Sequence, residues 1–214
     1  MSVLHLLGSR GDGGAETYFV DLVSALHAAG MEQTCALRSH AERARALSAA
    51  GVVTDSFGFG GPLDFLTRPH IAAFGRRTGA RAMVAWMNRA ARHTPAGPWK
   101  RIGRLGGYYS LKYYQGFDHL VGNTRDIADW IVGQGWPAGQ VSYIPNFAAA
   151  AEDVAPVSRA SLDTPEGAPL LLGMGRLHDA KAHDVSLKAL AMIPDAFLWI
   201  AGDGALEDKL KAMA

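Results

Sequence analysis

One pattern occurs twice in this 214-residue chain, and it limits the possible folds more than any other feature. Apolar runs at 2–7 and 170–174 are each followed by a glycine-containing turn and then by a segment with helical spacing of apolar residues. Apolar runs and helical segments also alternate between these two positions. This alternation predicts an α/β fold, in which helices cover both faces of a mostly parallel sheet.

The first predicted unit comprises residues 1–147. Its strands are expected at 2–7, 33–37, 52–54, 81–87, 119–121 and 141–144. Its helices are expected at 15–29, 40–50, 67–78, 108–114 and 126–134, and a glycine- and proline-rich loop is expected at 93–107. Asn123 or Thr124 is expected to cap the last of these helices.

The second predicted unit is short. Residues 148–168 lack periodicity and are predicted to form an interdomain linker. Residues 169–214 then contain two predicted strands, 170–174 and 197–201, and two predicted helices, 184–192 and 206–213. Because two parallel strands do not make a stable domain, we expect the sequence to be cut short within a second domain.

Charge balance and cysteine content exclude several classes of protein. With 21 basic and 20 acidic residues the formal net charge is +1, which argues against a nucleic-acid binder that depends on phosphate neutralisation. Cys35 is the sole cysteine, so an internal disulfide framework and most cysteine-based metal sites are excluded. The N-terminal apolar run is too short for a signal peptide or a membrane span, which predicts a soluble cytoplasmic protein.

The charge is unevenly distributed. Residues 65–117 contain ten basic and no acidic residues, with tryptophans and tyrosines interleaved, and the remainder contains 11 basic and 20 acidic residues. Such a stretch suits an anionic substrate or anionic lipid headgroups, which predicts peripheral attachment to the inner face of a membrane. The alternative is a set of ordinary solvated helix faces.

The first glycine turn, Gly11-Asp12-Gly13-Gly14, precedes a predicted helix, where backbone N–H groups and the helix dipole favour an anion. It fails the dinucleotide fingerprint because Glu16 stands where the third glycine belongs. The second strand is followed by Arg38 instead of an acid, so an NADP-dependent reductase remains an alternative, as does a tight turn without a ligand.

The second glycine turn carries two cations. Arg176 follows the strand at 170–174, and Lys181 precedes the next helix, so both belong to one turn at the carboxyl edge of a sheet. A forked guanidinium and a mobile ammonium at a helix N-terminus suit a diphosphate. The alternative is a pair of ordinary surface cations.

Four motifs follow one another in a fixed order: Gly13-Gly-Ala-Glu16, Val141-Ser-Tyr-Ile-Pro-Asn146, Gly175-Arg-Leu-x-x-x-Lys181-x-x-Asp184 and Gly202-Asp-Gly204-x-Leu206. This ordered set resembles the retaining family 4 glycosyltransferases, which have the GT-B architecture. The resemblance implies two Rossmann-like domains, the first for the acceptor and the second for a nucleotide-diphosphate sugar. It further implies retention of anomeric configuration by same-face attack, without a protein nucleophile or a bound metal. No cofactor is expected beyond the sugar-nucleotide co-substrate, and the catalytic residue is unknown.

The resemblance also implies residue roles. Arg176 and Lys181 match the positions that hold the donor diphosphate, and Gly13 and Gly14 match the loop over the donor. The turn matched to the neighbourhood of the nucleotide contains Gly202, Asp203 and Gly204, although Asp203 equally suits a turn. The candidates on the acceptor side are Glu16, Asn88, Arg89 and His93, with an ordinary loop histidine as the alternative for His93.

This sequence departs from the family pattern at several points. Ala182 stands where members often have glycine, and Pro145-Asn146 lacks the glycine and the acid that usually follow it. The glutamate pair that contacts the donor sugar is absent. The sequence therefore predicts a glycosyltransferase that uses a glycan or lipid-linked acceptor, in cell-envelope polysaccharide or lipopolysaccharide synthesis. The alternative is a non-catalytic fragment that binds an acceptor or a partner.

Overall fold

The computed structural model describes residues 2–61, 63–148 and 154–214 of the chain. The chain divides into two compact units, residues 1–150 and 151–214. The predicted linker at 148–168 spans this boundary, and its residues 149–153 lie outside the described residues.

The first unit is built on a parallel sheet of seven strands. These are β1 Ser2–Leu7, β2 Gln33–Arg38, β3 Val53–Phe57, β4 Ala80–Trp86, β5 Lys100–Leu105, β6 His119–Gly122 and β7 Val141–Tyr143. Their order in the sheet is β3-β2-β1-β4-β5-β6-β7, so the direction of winding reverses beside β1. In open sheets of this kind, ligands bind outside the carboxyl ends of the strands at that reversal.

Helices cover both faces of this sheet. They are α1 Gly14–Ala28, α2 Ala41–Ala49, α3 Thr67–Arg77, α4 Met87–His93 and α5 Arg125–Gly133. Alternate residues of β1 supply two separate apolar clusters, one containing Leu4 and Leu6 and the other Leu7. The Thr124 hydroxyl accepts the N–H of Ile127 at 3.1 Å and caps α5. The predicted α/β class is confirmed.

Two predictions for the region 93–114 are wrong. The predicted loop contains β5, which lies between β4 and β6. A Cβ at Gly103 would lie 2.5 Å from the Tyr114 ring, so this glycine makes room for a buried side chain and does not mark a turn. The predicted helix at 108–114 is a single 3₁₀ turn, Leu111–Tyr113, and Gly116 beyond it has a φ of 76°, which α-helix geometry excludes.

The face of β4 to β7 that lies on the α1 side carries an apolar cavity of about 450 Å³. Its lining includes Leu22, Val84, Ile102 and Val121. His5 also lines it, and burial lowers the pKa of this histidine to about 4, although its Nε2 lies 2.9 Å from the Gln33 side-chain oxygen. His5 is therefore a neutral core residue near pH 7.

The second unit contains two parallel strands and two helices: β8 Leu170–Met174, α6 His183–Leu190, β9 Phe197–Ala201 and α7 Glu207–Lys211. Part of the predicted linker packs on this unit. Arg159–Leu162 forms a 3₁₀ turn, and the buried hydroxyl of Thr164 accepts the indole N–H of Trp199 at 2.9 Å. Within the described residues, no helix is both long and apolar enough to cross a bilayer.

Candidate functional site

The turn after β8 places the two predicted diphosphate ligands close together. Gly175 has a φ of 149°, and Arg176 follows it directly. A Cβ on Gly175 would lie 3.5 Å from Cε of Lys181, so the aliphatic stem of this lysine runs across the glycine. Both charged residues are exposed. Arg176 and Lys181 therefore belong to one exposed turn at the carboxyl end of β8, and the role of this turn in binding a diphosphate stays a prediction.

The Gly202-Asp203-Gly204 turn after β9 packs against this same turn. The Leu177 N–H donates to the Asp203 carbonyl at 2.6 Å. A Cβ on Gly202 would lie 2.0 Å from the Gly175 carbonyl oxygen, and one on Gly204 would lie 2.5 Å from the Leu177 carbonyl oxygen. These two glycines therefore allow the backbones of the two turns to touch. The contact between the turns holds the cationic turn in place.

Ala182 joins the cationic turn to α6 in the left-handed region, with φ 51° and ψ 35°. This conformation is unfavourable for alanine by about 1–2 kcal/mol and suits glycine. The departure from the family pattern that the sequence shows at this residue is thus also a point of backbone strain.

Replacing Ala182 by glycine is expected to stabilise the second unit by about 0.5–1 kcal/mol, because the relief of strain exceeds the entropy that glycine adds to the unfolded chain. Hydrogen exchange of the β8 and β9 amides measures this free energy locally. Ala189→Gly inside α6 is the matched control and is expected to destabilise by about 1 kcal/mol. Faster exchange in Ala182→Gly would contradict the strain argument.

The glycine turn of the first unit is fixed by a buried arginine that the sequence does not reveal. Arg43 of α2 donates to the carbonyls of Ser9 at 3.0 Å and Gly11 at 2.6 Å. Asp12 contacts both His40, at 3.0 Å, and Arg43, at 3.6 Å. The turn is therefore held in one shape before any ligand binds.

Glu16 closes the start of α1. Its carboxylate accepts the N–H of Gly13 at 3.1 Å, so one of the donors predicted to face a phosphate is already satisfied. Gly14 is exposed, and among the described residues no atom other than those of its chain neighbours and its own helix lies within 4 Å of an added Cβ. The structure places Gly14 where a ligand can approach the backbone and gives Glu16 a role in capping the helix.

The acceptor-side candidates follow β4, the neighbour of β1. Met87 has a φ of 63°, which turns the chain sharply, and Asn88 and Arg89 come next in α4. The Arg89 guanidinium donates to the Phe59 carbonyl at 3.2 Å, and the Asn88 side-chain oxygen is buried without a hydrogen-bond partner among the described residues. Both therefore lie at the same sheet edge as the first glycine turn.

His93 is placed differently from the other candidates. It is 2% exposed, its Nε2 lies 3.1 Å from the Gly60 carbonyl, and burial lowers its pKa. The adjoining loop is also held by Asp64, whose pKa is kept far below its usual range by hydrogen bonds from Thr67 and Gly60. His93 thus supports the neighbouring loop at Phe59 and Gly60 from inside.

The Pro145-Asn146 segment is tied to the sheet by another buried arginine, Arg104. Its guanidinium donates to the Asn146 side-chain oxygen at 2.7 Å and lies 4.8 Å from the ring centre of Tyr18 and 5.3 Å from that of Trp86. Burial lowers the pKa of Arg104. Arg104 belongs to the basic stretch at 65–117 but is not on the surface, so the stretch is less of a basic surface than its sequence predicts.

No family model matches the chain, but relatives with similar sequences are found. It is 36% identical over 218 residues to the lipopolysaccharide core biosynthesis glycosyltransferase LpsE of Rhizobium meliloti, covering 100% of this chain and 63% of LpsE. It is 33% identical over 216 residues to LpsD of the same organism, covering 100% of this chain and 62% of LpsD. The chain thus spans less than two thirds of the length of the curated relatives it matches.

Solved structures show the same architecture. A glycosyltransferase from Rickettsia africae superposes with a TM-score of 0.78 at 13% identity, over 99% of this chain and 64% of that one. HepE of Anabaena, solved in complex with UDP, superposes with a TM-score of 0.77 at 16% identity, over 100% of this chain and 64% of that one. The fold is GT-B-like. The first unit corresponds to the first Rossmann-like domain of this fold. The segment from β8 to α7 corresponds to the first part of the second Rossmann-like domain.

Proposed function

We propose that the protein is a retaining glycosyltransferase that transfers a sugar from a nucleotide-diphosphate sugar to a glycan or lipid-linked acceptor in lipopolysaccharide synthesis. The observation that carries this proposal is the 36% identity to LpsE along the whole chain. The same ordered motifs that carry the family 4 resemblance support retention of configuration. Residues 1–147 serve the acceptor, 148–168 link the units, and 169–214 belong to the donor domain.

The donor site is proposed at the cationic turn. Arg176 and Lys181 hold the diphosphate, and the Gly202-Asp203-Gly204 turn lies near the nucleotide. HepE, which shares the fold, was solved with UDP and with UDP-glucose, which supports a uridine nucleotide as the first donor to assay. The two cations stabilise the charge that develops on the leaving diphosphate as the sugar is transferred.

The test of this function is transfer by the full-length gene product from UDP-, GDP- and ADP-sugars to lipopolysaccharide core acceptors. Proton NMR of the product gives the anomeric configuration. We expect one donor to be used and its configuration kept. Inversion would contradict the retaining part alone, whereas failure to use any sugar nucleotide would contradict the whole proposal.

We also propose that the protein works at the inner face of a membrane, where a lipid-linked acceptor is held. Leu63, Phe65 and Leu66 are 83%, 74% and 66% exposed, and the exposed Arg68 follows them. Exposed apolar side chains beside a cation suit insertion into an anionic headgroup layer. This loop supports attachment more directly than the basic stretch as a whole.

Sedimentation with vesicles measures this attachment. Binding to vesicles containing anionic phosphatidylglycerol is expected to exceed binding to neutral vesicles at low salt and to fall as salt is raised. Replacing Leu63 and Phe65 together by serine is expected to weaken binding about tenfold or more, because the inserted apolar area is lost. Met192→Ser, at a side chain that is 84% exposed in the second unit, is the control. Equal binding to both vesicle types would contradict the proposal.

A further inference from the structure

Three arginines from three separate segments meet at one edge of the first unit's sheet. Arg10 lies in the turn after β1, Arg38 is the last residue of β2, and Arg89 lies in α4 just after β4. Because β1 lies between β2 and β4, these three positions are neighbours at the carboxyl edge, where the winding of the sheet reverses. That is the place where ligands bind in folds of this kind.

The side chain of Arg89 runs along this edge from β4 across β1. A Cβ on Gly8 would lie 2.8 Å from Cγ of Arg89, so the stem of Arg89 crosses the end of β1 before its guanidinium reaches the Phe59 carbonyl beyond β3. The pKa of Arg38 is lowered by burial and by the nearby charges of Arg10 and Arg89. The positive charges of Arg10 and Arg89 therefore act on Arg38, in keeping with the neighbouring positions of the three residues at the sheet edge.

This region contains polar atoms that lack partners. Nε of Arg38 and the side-chain oxygen of Asn88 are buried, and neither has a hydrogen-bond partner among the described residues. Buried polar atoms are almost always hydrogen-bonded, and the exceptions call for an explanation such as a ligand.

The carboxylates of the adjoining turn have partners of their own. Asp12 contacts His40 and Arg43, and Glu16 accepts the N–H of Gly13. In the described part of the chain, no ion pair involves any of the three arginines. Three positively charged residues at neighbouring positions of the sheet edge thus have no ion pair among the described residues.

We propose that Arg10, Arg38 and Arg89 bind a phosphate group of the acceptor, so that the protein acts on a phosphorylated glycan. A phosphate monoester offers three oxygens and close to two negative charges, which three guanidinium forks match, whereas a single carboxylate is satisfied by one. Asn88 provides an acceptor for a sugar hydroxyl beside it. This inference rests on the proposed transferase function, because it names the acceptor of that same reaction.

The first test measures the binding of glucose 6-phosphate and of glucose by NMR at low ionic strength. The protein used in this test has the substitutions Arg176→Gln and Lys181→Gln, so that phosphate binding at the proposed donor site does not contribute to the signal. We expect the sugar phosphate to bind and glucose not to bind. Arg10→Gln and Arg38→Gln are each expected to weaken binding about tenfold, since each removes a charge-assisted hydrogen bond. Arg38→Lys keeps the charge but loses the forked guanidinium, so its affinity is expected to lie between those of the parent chain and of Arg38→Gln.

Arg45→Gln is the matched control, because Arg45 is exposed on α2 and the substitution removes the same charge. Arg10 is exposed in a turn, so its replacement does not depend on refolding a core. Absence of phosphate-dependent binding in the parent chain, or equal affinity in Arg10→Gln and Arg45→Gln, would overturn the proposal. Binding of NADP but not NAD through Arg38 would assign the phosphate to a dinucleotide and would overturn it as well.

Kinetics of the full-length gene product separate this inference from the function on which it rests. With a phosphorylated acceptor, Arg38→Gln is expected to raise the acceptor KM about tenfold and to leave the sugar-nucleotide KM unchanged. With the same acceptor after phosphatase treatment, wild type and variant are expected to be equal. No use of sugar nucleotides by the wild type would overturn the transferase function, whereas equal KM values for the phosphorylated acceptor would overturn the phosphate site alone.

Discussion

Replacing Arg176 and Lys181 together by alanine is expected to lower kcat for sugar transfer by about 1000-fold or more in the full-length gene product. Each cation alone is expected to contribute about 100-fold, as for other groups that stabilise charge in a transition state. The reason is that the stem of Lys181 crosses Gly175, the residue before Arg176, so both cations belong to one turn. The measurement is initial rate against donor concentration.

Lys209→Ala is the control for this prediction, because Lys209 is an exposed lysine on α7 in the same unit. It removes one positive charge without touching the turn, and we expect it to leave kcat unchanged. Full turnover in the Arg176→Ala, Lys181→Ala double variant would show that these cations do not hold the diphosphate.

Replacing Gly202 by alanine is expected to disrupt the second unit. The added Cβ would lie 2.0 Å from the Gly175 carbonyl oxygen, which is a backbone atom, so no side-chain rotamer change relieves the overlap. The φ of 156° at Gly202 adds further strain. We expect a loss of about 3 kcal/mol or more, in line with other severe overpacking and backbone-strain substitutions.

Gly167→Ala provides the matched control for this substitution. Gly167 lies in the same unit, and no atom that the structure describes, apart from its chain neighbours, lies within 4 Å of a Cβ added there, so this change is expected to be close to neutral. Hydrogen exchange of the β8 and β9 amides reports both variants, and the seven-stranded sheet is expected to keep its protection in each. Equal protection of β8 in Gly202→Ala and Gly167→Ala would contradict the close approach of the two turns.

Regular elements of this fold follow from the sequence because their signals are local. The run at β1, the glycine turn and the spacing of apolar residues in α1 are contiguous, and the Thr124 cap depends on a neighbour three residues away. β5 was missed because its signal is not local. Gly103 reflects the space taken by the Tyr114 ring, and that ring comes from a later segment.

The burial of two arginines could not be predicted from the sequence. Arginine is usually a surface residue, and nothing near Arg43 or Arg104 in the chain indicates that these two are buried. The Arg43 guanidinium is satisfied by carbonyls of a distant turn, and the Arg104 guanidinium by aromatic faces and Asn146. Such partners are assembled only by the tertiary fold. The placement of Arg38 beside Arg10 and Arg89 likewise requires the order of the strands.

We propose that this chain belongs to an enzyme that transfers sugar from a nucleotide-diphosphate donor, and that the cationic turn holds this donor. The most direct measurement is transfer of radiolabelled sugar from a UDP-sugar panel to lipopolysaccharide core acceptors, by the full-length gene product and by its Arg176→Ala, Lys181→Ala variant. We predict incorporation by the wild type and its loss in the variant. Equal incorporation by both proteins, or none by the wild type with any sugar nucleotide, would contradict the claim.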